Sequence, residues 1–304
     1  MSGTPRIAIV IVTYNSARVL EGCLSSLLPG ARGVDLAEVV VADNASKDDS
    51  VLMADKAGAT VVQLGRNAGY AAAINAGIAS LDLDGLDAVL VLNPDCRLGE
   101  GSLARLAEPL RRPRTGITAP RLTSPDGHVH PSLRRAPTVR GAWAEAVIGG
   151  TLAGRLGSLG EVITDPERYD QPGPAAWATG AAMLISVPAL REIGPWDESF
   201  LLYSEETEFA LRAADLGWTL WYEPAAVVEH IGGDAKVNPM LAALLTVNKV
   251  RLFRRRRGPL AGFAYYLAVL LGEGVRAVAG RSTARAAVLW LVMPSRRIRA
   301  LPGG

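Results

Sequence analysis

Four short polar clusters in this chain of 304 residues each follow an apolar run: Thr13-Tyr14-Asn15 after 7–12, Asp43-Asn44 after 39–42, Gly65-Arg66-Asn67 after 60–64 and Asn93-Pro94-Asp95 after 88–92. Any one of them is ordinary turn chemistry, because Asn, Asp and Gly bond their own backbone or take left-handed angles with little strain. Four at successive run ends can converge on one crevice, where hydroxyls, amides and carboxylates would hold a polar ligand or a hard cation. A second feature is the carboxylate pair Glu205-Glu206, directly after Ser204, a residue type suited to a helix N-cap. A carboxylate within hydrogen-bond reach of a hydroxyl can take its proton, an effect of about 10² to 10⁴ in rate. The dipole of a helix start favours the ionised form that a base needs. Neighbouring helical residues do not share a face, so one of the two glutamates is expected to look into a crevice. Histidine occurs only at 128, 130 and 230 and cysteine only at 23 and 96, which excludes a disulfide framework and a Cys/His zinc site. Neither Ser186 nor Ser204 has an evident histidine partner, so no activated nucleophile is on offer.

The elements that must position these groups follow from periodicity. The runs 7–12, 39–42, 60–64 and 88–92 are continuously apolar and rich in β-branched residues, as expected for strands buried on both faces of a parallel sheet. Between them, residues 17–28 carry Val19, Leu20, Leu24, Leu27 and Leu28 at helical spacing and stop at Pro29-Gly30. Ser46 and Asp49 read as a capping box opening a short helix, and 70–81 is an alanine-rich helix. Strands alternating with helices give a doubly wound α/β sheet whose ligand lies at the carboxyl ends of the strands. The first turn has neither G-x-G-x-x-G nor G-x-x-x-x-G-K-[ST], so a nucleotide would be held by other means. From 120 to 180 the periodicity breaks, with a helix expected around 142–156. Arg134 and Arg135 in this stretch are candidates for a diphosphate or for a solvated loop.

The bulk composition, 49% hydrophobic and 20% charged, is that of a globular protein. The first residues lack the order of a signal peptide and the cysteines are few, so the chain is expected to be cytoplasmic. The net charge of +2 conceals an asymmetry: twelve Lys and Arg from Lys249 onward face the single acid Glu273, giving that part +11 and residues 1–248 a charge of −9. Basic stretches alternating with LAGFAYYLAVLL and AAVLWLVM, and including Tyr265, Tyr266 and Trp290, fit helices lying on an anionic membrane surface. Helices packed on the body or on a second subunit, as in a homodimer, are the alternative. No nucleic-acid recognition motif accompanies the charge, so no nucleic-acid partner is expected.

The series TYN, DNASKDDS, GRNAGYAAAINAG, LNPD, GAAMLIS, WDESFLLYSEETEFALR and EHIGG, in this order across 7–233, resembles the family-two glycosyltransferases of the GT-A fold. Within LNPDCRLGEGSL and TAPRLTSPDGHVHPSLRR it is most similar to bacterial rhamnosyltransferases that use dTDP-L-rhamnose on lipid-linked acceptors. The resemblance implies a GT-A type doubly wound, mostly parallel sheet with helices on both faces over 1–235. Its nucleotide-sugar half is about 1–120 and its acceptor half about 121–235, and a basic helical extension follows over 236–304. It implies a nucleotide-sugar site formed by Thr13, Tyr14, Asn15, Asp43, Asn44, Arg66, Asn67, Gly69, Asn75, Asn93 and Asp95, and Mg2+ or Mn2+ held by Asp95 and His230. Asn93 stands where the family carries the first acid of its D-x-D element. The base falls on Glu206, where the family usually has Asp, with Glu205 beside it, and Trp177, Gly180, Trp196 and Asp197 would border the acceptor. The implied reaction is inverting transfer of a sugar from a dTDP-sugar, or a UDP-sugar, to a glycan or polyprenyl-diphosphate-linked acceptor at the inner face of the plasma membrane. Transfer to a soluble small molecule or peptide, and a degenerate module that only binds nucleotide-sugar, share the same residues.

Overall fold

The computed structural model describes residues 3–156, 159–232 and 238–303. The four apolar runs form β1 (Arg6–Thr13), β2 (Asp35–Asp43), β3 (Thr60–Gln63) and β4 (Ala88–Leu92), joined by α1 (Ala17–Gly30), α2 (Ser50–Lys56) and α3 (Tyr70–Ala79). β1 shows why such runs must be buried on both sides. Ala8, Val10 and Val12 point into the core beneath α3, whereas Ile7, Ile9 and Ile11 point into the opposite core with Leu20, Cys23 and Leu27 of α1. The expected capping box at α2 does not form. Ser46 instead bonds Asp43 through both its hydroxyl and its N–H, and Asp49 occupies the N-cap without a side-chain bond.

The second half supplies strands that periodicity does not reveal: β5 (Cys96–Leu98), β6 (Thr115–Thr123), β8 (Gly173–Ala175), β10 (Ala182–Ser186) and β11 (Thr219–His230), with β7 (Leu133–Arg134) and β9 (Trp177–Ala178) as a separate pair. The sheet order is β3-β2-β1-β4-β10-β6-β11-β5, with β8 against β11. β10 runs antiparallel to both β4 and β6 and joins the two halves. α4 (Ser102–Ala107) covers one face, and α8 (Val187–Ile193) and α9 (Glu205–Asp215) the other, so the sheet is doubly wound and mostly parallel as expected.

The expected helix at 142–156 is two, α5 (Val139–Ile148) and α6 (Gly150–Arg155), because Gly149 at φ 81° interrupts it, and α7 (Pro166–Asp170) follows. The expected boundary at 235/236 lies outside the described residues. Beyond it come α10 (Pro239–Val278), broken at Gly258 (φ 82°) just before Pro259, and α11 (Ser282–Val292). By length and composition alone α10 could cross a membrane. Part of it is instead bound to the body: Ala142 of α5 packs with Phe253, Tyr265 and Ala268 of α10.

Candidate active site

At the carboxyl ends of β1 and β2 the parallel register places Thr13 beside Asp43. The Thr13 hydroxyl donates to Asp43 (2.7 Å), and the same carboxylate accepts the Ser46 hydroxyl (2.6 Å) and N–H (2.8 Å). Asn15 accepts the Lys47 N–H (2.8 Å), and Asn44 accepts the Ala68 N–H (3.0 Å) while donating to the Gly69 carbonyl (3.3 Å). These two asparagines therefore brace the loops. Tyr14 and Asn67 share a partner from the far end of the chain: both donate to the Pro302 carbonyl, at 2.8 and 3.0 Å. Arg66 is exposed beside them. Gly69 sits at φ 99°, and a Cβ there would lie 2.1 Å from the Leu201 carbonyl oxygen, so only glycine lets the 201 turn approach.

The turn after β4 carries Asn93 and Asp95, and pairing of β5 with β11 sets His230 opposite Cys96, one residue from Asp95. Asp95 lies 3.5 Å from His230 Nε2 and accepts the Gly232 N–H (2.9 Å). Burial works to raise the Asp95 carboxyl, but the His230 hydrogen bond and charge and the Gly232 N–H outweigh it and hold it below the usual range. Cys96 Sγ belongs to the same cluster, within 4.8 Å, yet burial pushes its thiol well up and it donates to the Ala181 carbonyl (3.4 Å). A protonated thiol is a poor ligand. One carboxylate and one imidazole at a crevice lip suit a divalent cation that completes its shell from a ligand's phosphates and water.

A cavity of about 460 Å³ opens beside this turn, and Asn93, His230, Tyr70, Gly180, Glu205 and Glu206 all line it. The chain enters α9 under strain: Leu201, Tyr203 and Ser204 take positive φ of 64°, 68° and 76°. Such angles in residues other than glycine persist only where neighbours enforce them. Asn248 of α10 is that neighbour, donating to the carbonyls of Phe200 (2.7 Å), Leu202 (2.9 Å) and Tyr203 (3.3 Å). Ser204 occupies the N-cap position but its side chain caps nothing.

Both glutamates face the cavity, not one. Glu205 is buried, and its Oε2 has no hydrogen-bond partner among the described residues. Burial, and after it the charge of Glu206, pushes Glu205 well above the usual carboxylate range. Burial also raises Glu206, against the opposing pull of its backbone N–H partners and Arg134. Desolvation thus outweighs the helix start that was expected to favour ionisation. Glu206 is held close to the opposite wall, since a Cβ on Gly180 would sit 3.2 Å from Glu206 Cβ. Tyr70, which the sequence reading did not single out, donates to the Gly180 carbonyl (2.9 Å) and fixes that wall.

The far wall comes from elements expected to be loop and tail. Arg134 lines the cavity near Trp177, its guanidinium carbon 5.7 Å from the ring centroid, while Arg135 is spent on the Gly160 carbonyl (2.9 Å). Leu245, Lys249 and Leu252, on one face of α10, complete the wall. Lys249 does not lie on an outer surface: its Nζ is 2.7 Å from Glu161 and 3.5 Å from Glu145. A lysine within the apolar run 240–253, with no acid three or four residues away along the helix, is the signal that could have flagged it.

Residues 8–157 match the family described as Glycosyl transferase family 2. Over 246 residues, 75% of this chain and 76% of the relative, the sequence is 33% identical to the N-acetylglucosaminyl-diphospho-decaprenol L-rhamnosyltransferase of Mycobacterium tuberculosis. The chain belongs to glycosyl transferase family 2. It is also 30% identical over 208 residues, 68% of the chain and 61% of the relative, to the low-salt glycan biosynthesis hexosyltransferase Agl10 of Haloferax volcanii. Among solved structures, a mannosyltransferase of Pyrobaculum calidifontis in complex with GDP-Man and Mn2+ aligns with a TM-score of 0.57 at 17% identity, covering 97% of this chain and 83% of that one. The glucosyl-3-phosphoglycerate synthase of Mycobacterium tuberculosis, solved with Mn2+, UDP and glucosyl-3-phosphoglycerate, aligns at 0.53 and 16% identity, covering 84% and 81%. These likenesses show the GT-A fold.

In this glycosyltransferase three of the expected contact residues stand elsewhere. Trp196 is buried and stacked on Phe209 (centroids 4.4 Å apart, planes at 8°), so it is core and not an acceptor face. Asn75 clamps it from both sides, accepting the Trp196 N–H (2.9 Å) and donating to its carbonyl (3.0 Å), and does not line the crevice. Asp197 accepts the Ser199 N–H (2.9 Å) and pairs with Arg255 (2.9 Å), which ties the turn before α9 to α10. Trp177 and Gly180 do line the cavity.

Proposed function

We propose that this glycosyltransferase moves an L-rhamnosyl group from a dTDP-linked donor to a hydroxyl of a polyprenyl-diphosphate-linked glycan, with inversion. The observation carrying the reading is that Glu206, raised by burial, and His230 line one cavity, with Asp95 3.5 Å from His230 at its edge. The 33% identical rhamnosyltransferase, whose name specifies a decaprenol-linked acceptor, supports the sugar and the acceptor class.

Thr13 and Asp43 meet the nucleotide base and Arg66 and Asn67 its phosphates, with Tyr14 at the rim. Asp95 and His230 would hold Mg2+ or Mn2+, the imidazole favouring Mn2+ because Mg2+ prefers an all-oxygen shell. Such a cation would supply Lewis-acid stabilisation of the leaving diphosphate. Glu206 takes the acceptor hydroxyl proton as that oxygen bonds to the anomeric carbon. The bond from that carbon to the diphosphate breaks, and its electron pair leaves with dTDP. A single displacement converts a β-linked donor to an α-linked product. Burial in the cavity, against the pull of its backbone N–H partners and Arg134, holds Glu206 at a raised proton affinity. That makes Glu206 a stronger base near neutrality than an exposed carboxylate. Arg134 faces the acceptor's diphosphate. Residues 239–303 act as part of the acceptor wall, and the enzyme works in the cytoplasm against the inner membrane leaflet.

Calorimetry with dTDP, UDP and GDP, each with and without Mn2+, tests this on wild type and Asp95→Ala. Tightest binding of dTDP, strengthened by Mn2+ in wild type only, is expected. Equal binding of all three, or metal enhancement that survives in Asp95→Ala, would reject the donor assignment or the metal site respectively.

A further inference from the structure

A second cavity, about 850 Å³, lies on the other side of the first arm of α10, with Arg251, Arg254, Arg255 and Arg297 around a floor of Phe263, Tyr266 and Leu291. Its charge is only partly compensated among the described residues. Arg255 pairs with Asp197, Arg251 donates to the Ser199 carbonyl (2.6 Å) and stands over the Phe200 ring, Arg297 donates to the carbonyls of Trp290 (2.7 Å) and Leu291 (3.3 Å), and Arg254 is exposed. From the break at Gly258 onward, Leu260, Phe263, Leu267, Leu271, Val275 and Val278 form an exposed apolar stripe at helical spacing, with Leu260 87% and Val278 90% exposed. The stripe starts at the mouth of the arginine-lined cavity and runs about 27 Å at 1.5 Å per residue.

We propose that this cavity receives the headgroup of an anionic phospholipid while the second arm of α10 lies in the plane of the bilayer interface. The arginines take the phosphate, the ring and leucine floor takes the upper acyl chain, and the stripe enters the headgroup boundary. A second copy of the chain fits less well, because a two-fold contact through this face brings one arginine rim against the other. A water-soluble anion would use the guanidiniums and leave the floor and the stripe wet. The proposal deepens the placement at the membrane given above and rests on it for the kind of surface involved. The first arm of α10 is shared, presenting Leu245, Lys249 and Leu252 to the active cavity and Arg251 and Arg254 to the lipid. Lipid docking would therefore orient the acceptor wall at the surface from which a polyprenyl-linked substrate arrives.

Flotation of the purified protein with phosphatidylcholine vesicles, with and without phosphatidylglycerol, tests it. Binding should require phosphatidylglycerol, weaken about fivefold in Arg254→Gln as one arginine is neutralised, and be lost in Phe263→Asp. Leu28→Asp, at an exposed leucine of α1, should bind as wild type. Nucleotide binding by each variant reports whether the fold is intact. Retention on anionic vesicles by both Arg254→Gln and Phe263→Asp would overturn the cavity while leaving membrane placement standing. Failure of wild type to float would overturn both. Self-association in solution, abolished by Phe263→Asp without any vesicle binding, would assign the face to a second copy instead.

Discussion

Replacing Lys249 by Met asks whether the C-terminal helices are part of the catalytic body. Its Nζ stands 2.7 Å from Glu161 and 3.5 Å from Glu145, and the three side chains keep only 25%, 14% and 21% of their exposure. An exposed pair is worth about 0–1 kcal/mol. Removing one partner of a buried pair costs about 3–5 kcal/mol because it strands the opposite charge, here two carboxylates. The residual exposure favours the lower figure, about 3 kcal/mol, and at about 2 °C per kcal/mol for a chain of this size the midpoint should fall by about 6 °C. Burial opposes the Lys249 charge, but Glu161, with Glu145, holds the ammonium well above its usual range. A group raised in the fold stabilises fully below its unfolded pKa, about 10.4, and loses that contribution as pH rises through the folded value. The difference between variant and wild type should therefore be flat from neutrality to about pH 10 and shrink above it. Urea unfolding of wild type, Lys249→Met and the variant that adds Glu145→Gln and Glu161→Gln measures it. The triple variant should regain most of the loss. A loss under about 1 kcal/mol, or no recovery in the triple variant, would refute the view that this triad welds α10 to the active-site wall.

Glu206→Gln should lower kcat by about 10² to 10⁴ while leaving calorimetric donor affinity unchanged. The acid limb of the wild-type kcat profile should lie above the usual carboxylate value of about 4.3, because burial raises Glu206. Glu205→Gln should raise thermal stability at neutral pH. The folded pKa of Glu205 is raised by burial and by Glu206, so the fold loses stability as pH climbs from the unfolded value toward the folded one, and the variant escapes that loss. The two melting profiles should meet below about pH 4. Gly180→Ala should displace Glu206, whose Cβ would lie 3.2 Å from the new methyl. Steady-state kinetics should show kcat reduced by up to about 10²-fold with donor KM little changed, since misplacement near 1 Å costs that much.

The first half of the fold was legible because β1 and β4 are buried on both faces; β3, expected to be buried likewise, is the sheet's edge strand and stays partly exposed. Residues 88–92 were bounded as the structure has them, and β1 extends past its apolar run only by Arg6 and Thr13, whereas β2 begins four residues before its run, at Asp35. The second half was not, since Pro120 lies within β6 and Pro224 within β11 at a register shift, and a proline argues against a strand when only the sequence is in view. Of the candidate site, Thr13, Asp43, Asn93, Asp95, His230 and the two glutamates were legible as polar residues at element ends; the structure pairs Thr13 with Asp43 and sets Asn93, His230 and both glutamates around one cavity, with Asp95 beside His230. Tyr70, Asn248 and Lys249 act through contacts with residues distant in sequence, which no local pattern reports. Trp196 and Asp197 were misplaced for a related reason: an aromatic residue and an acid before a helix look alike whether they face a sugar or brace the turn beneath it. The tail's charge was read without its partners, two of which, Glu161 and Asp197, lie in segments read as loop or acceptor border.

β10 also governs the order in which the molecule can be made. As the chain leaves the ribosome, β4 is complete long before residue 182 appears, and β6 follows it without being able to pair with it. Two apolar strand edges must then wait, unpaired, for one short segment to slide between them. The nascent protein is thus most exposed to self-association midway through synthesis. A fragment cut at residue 157, where the family match ends, would be frozen in that condition rather than behave as a minimal domain.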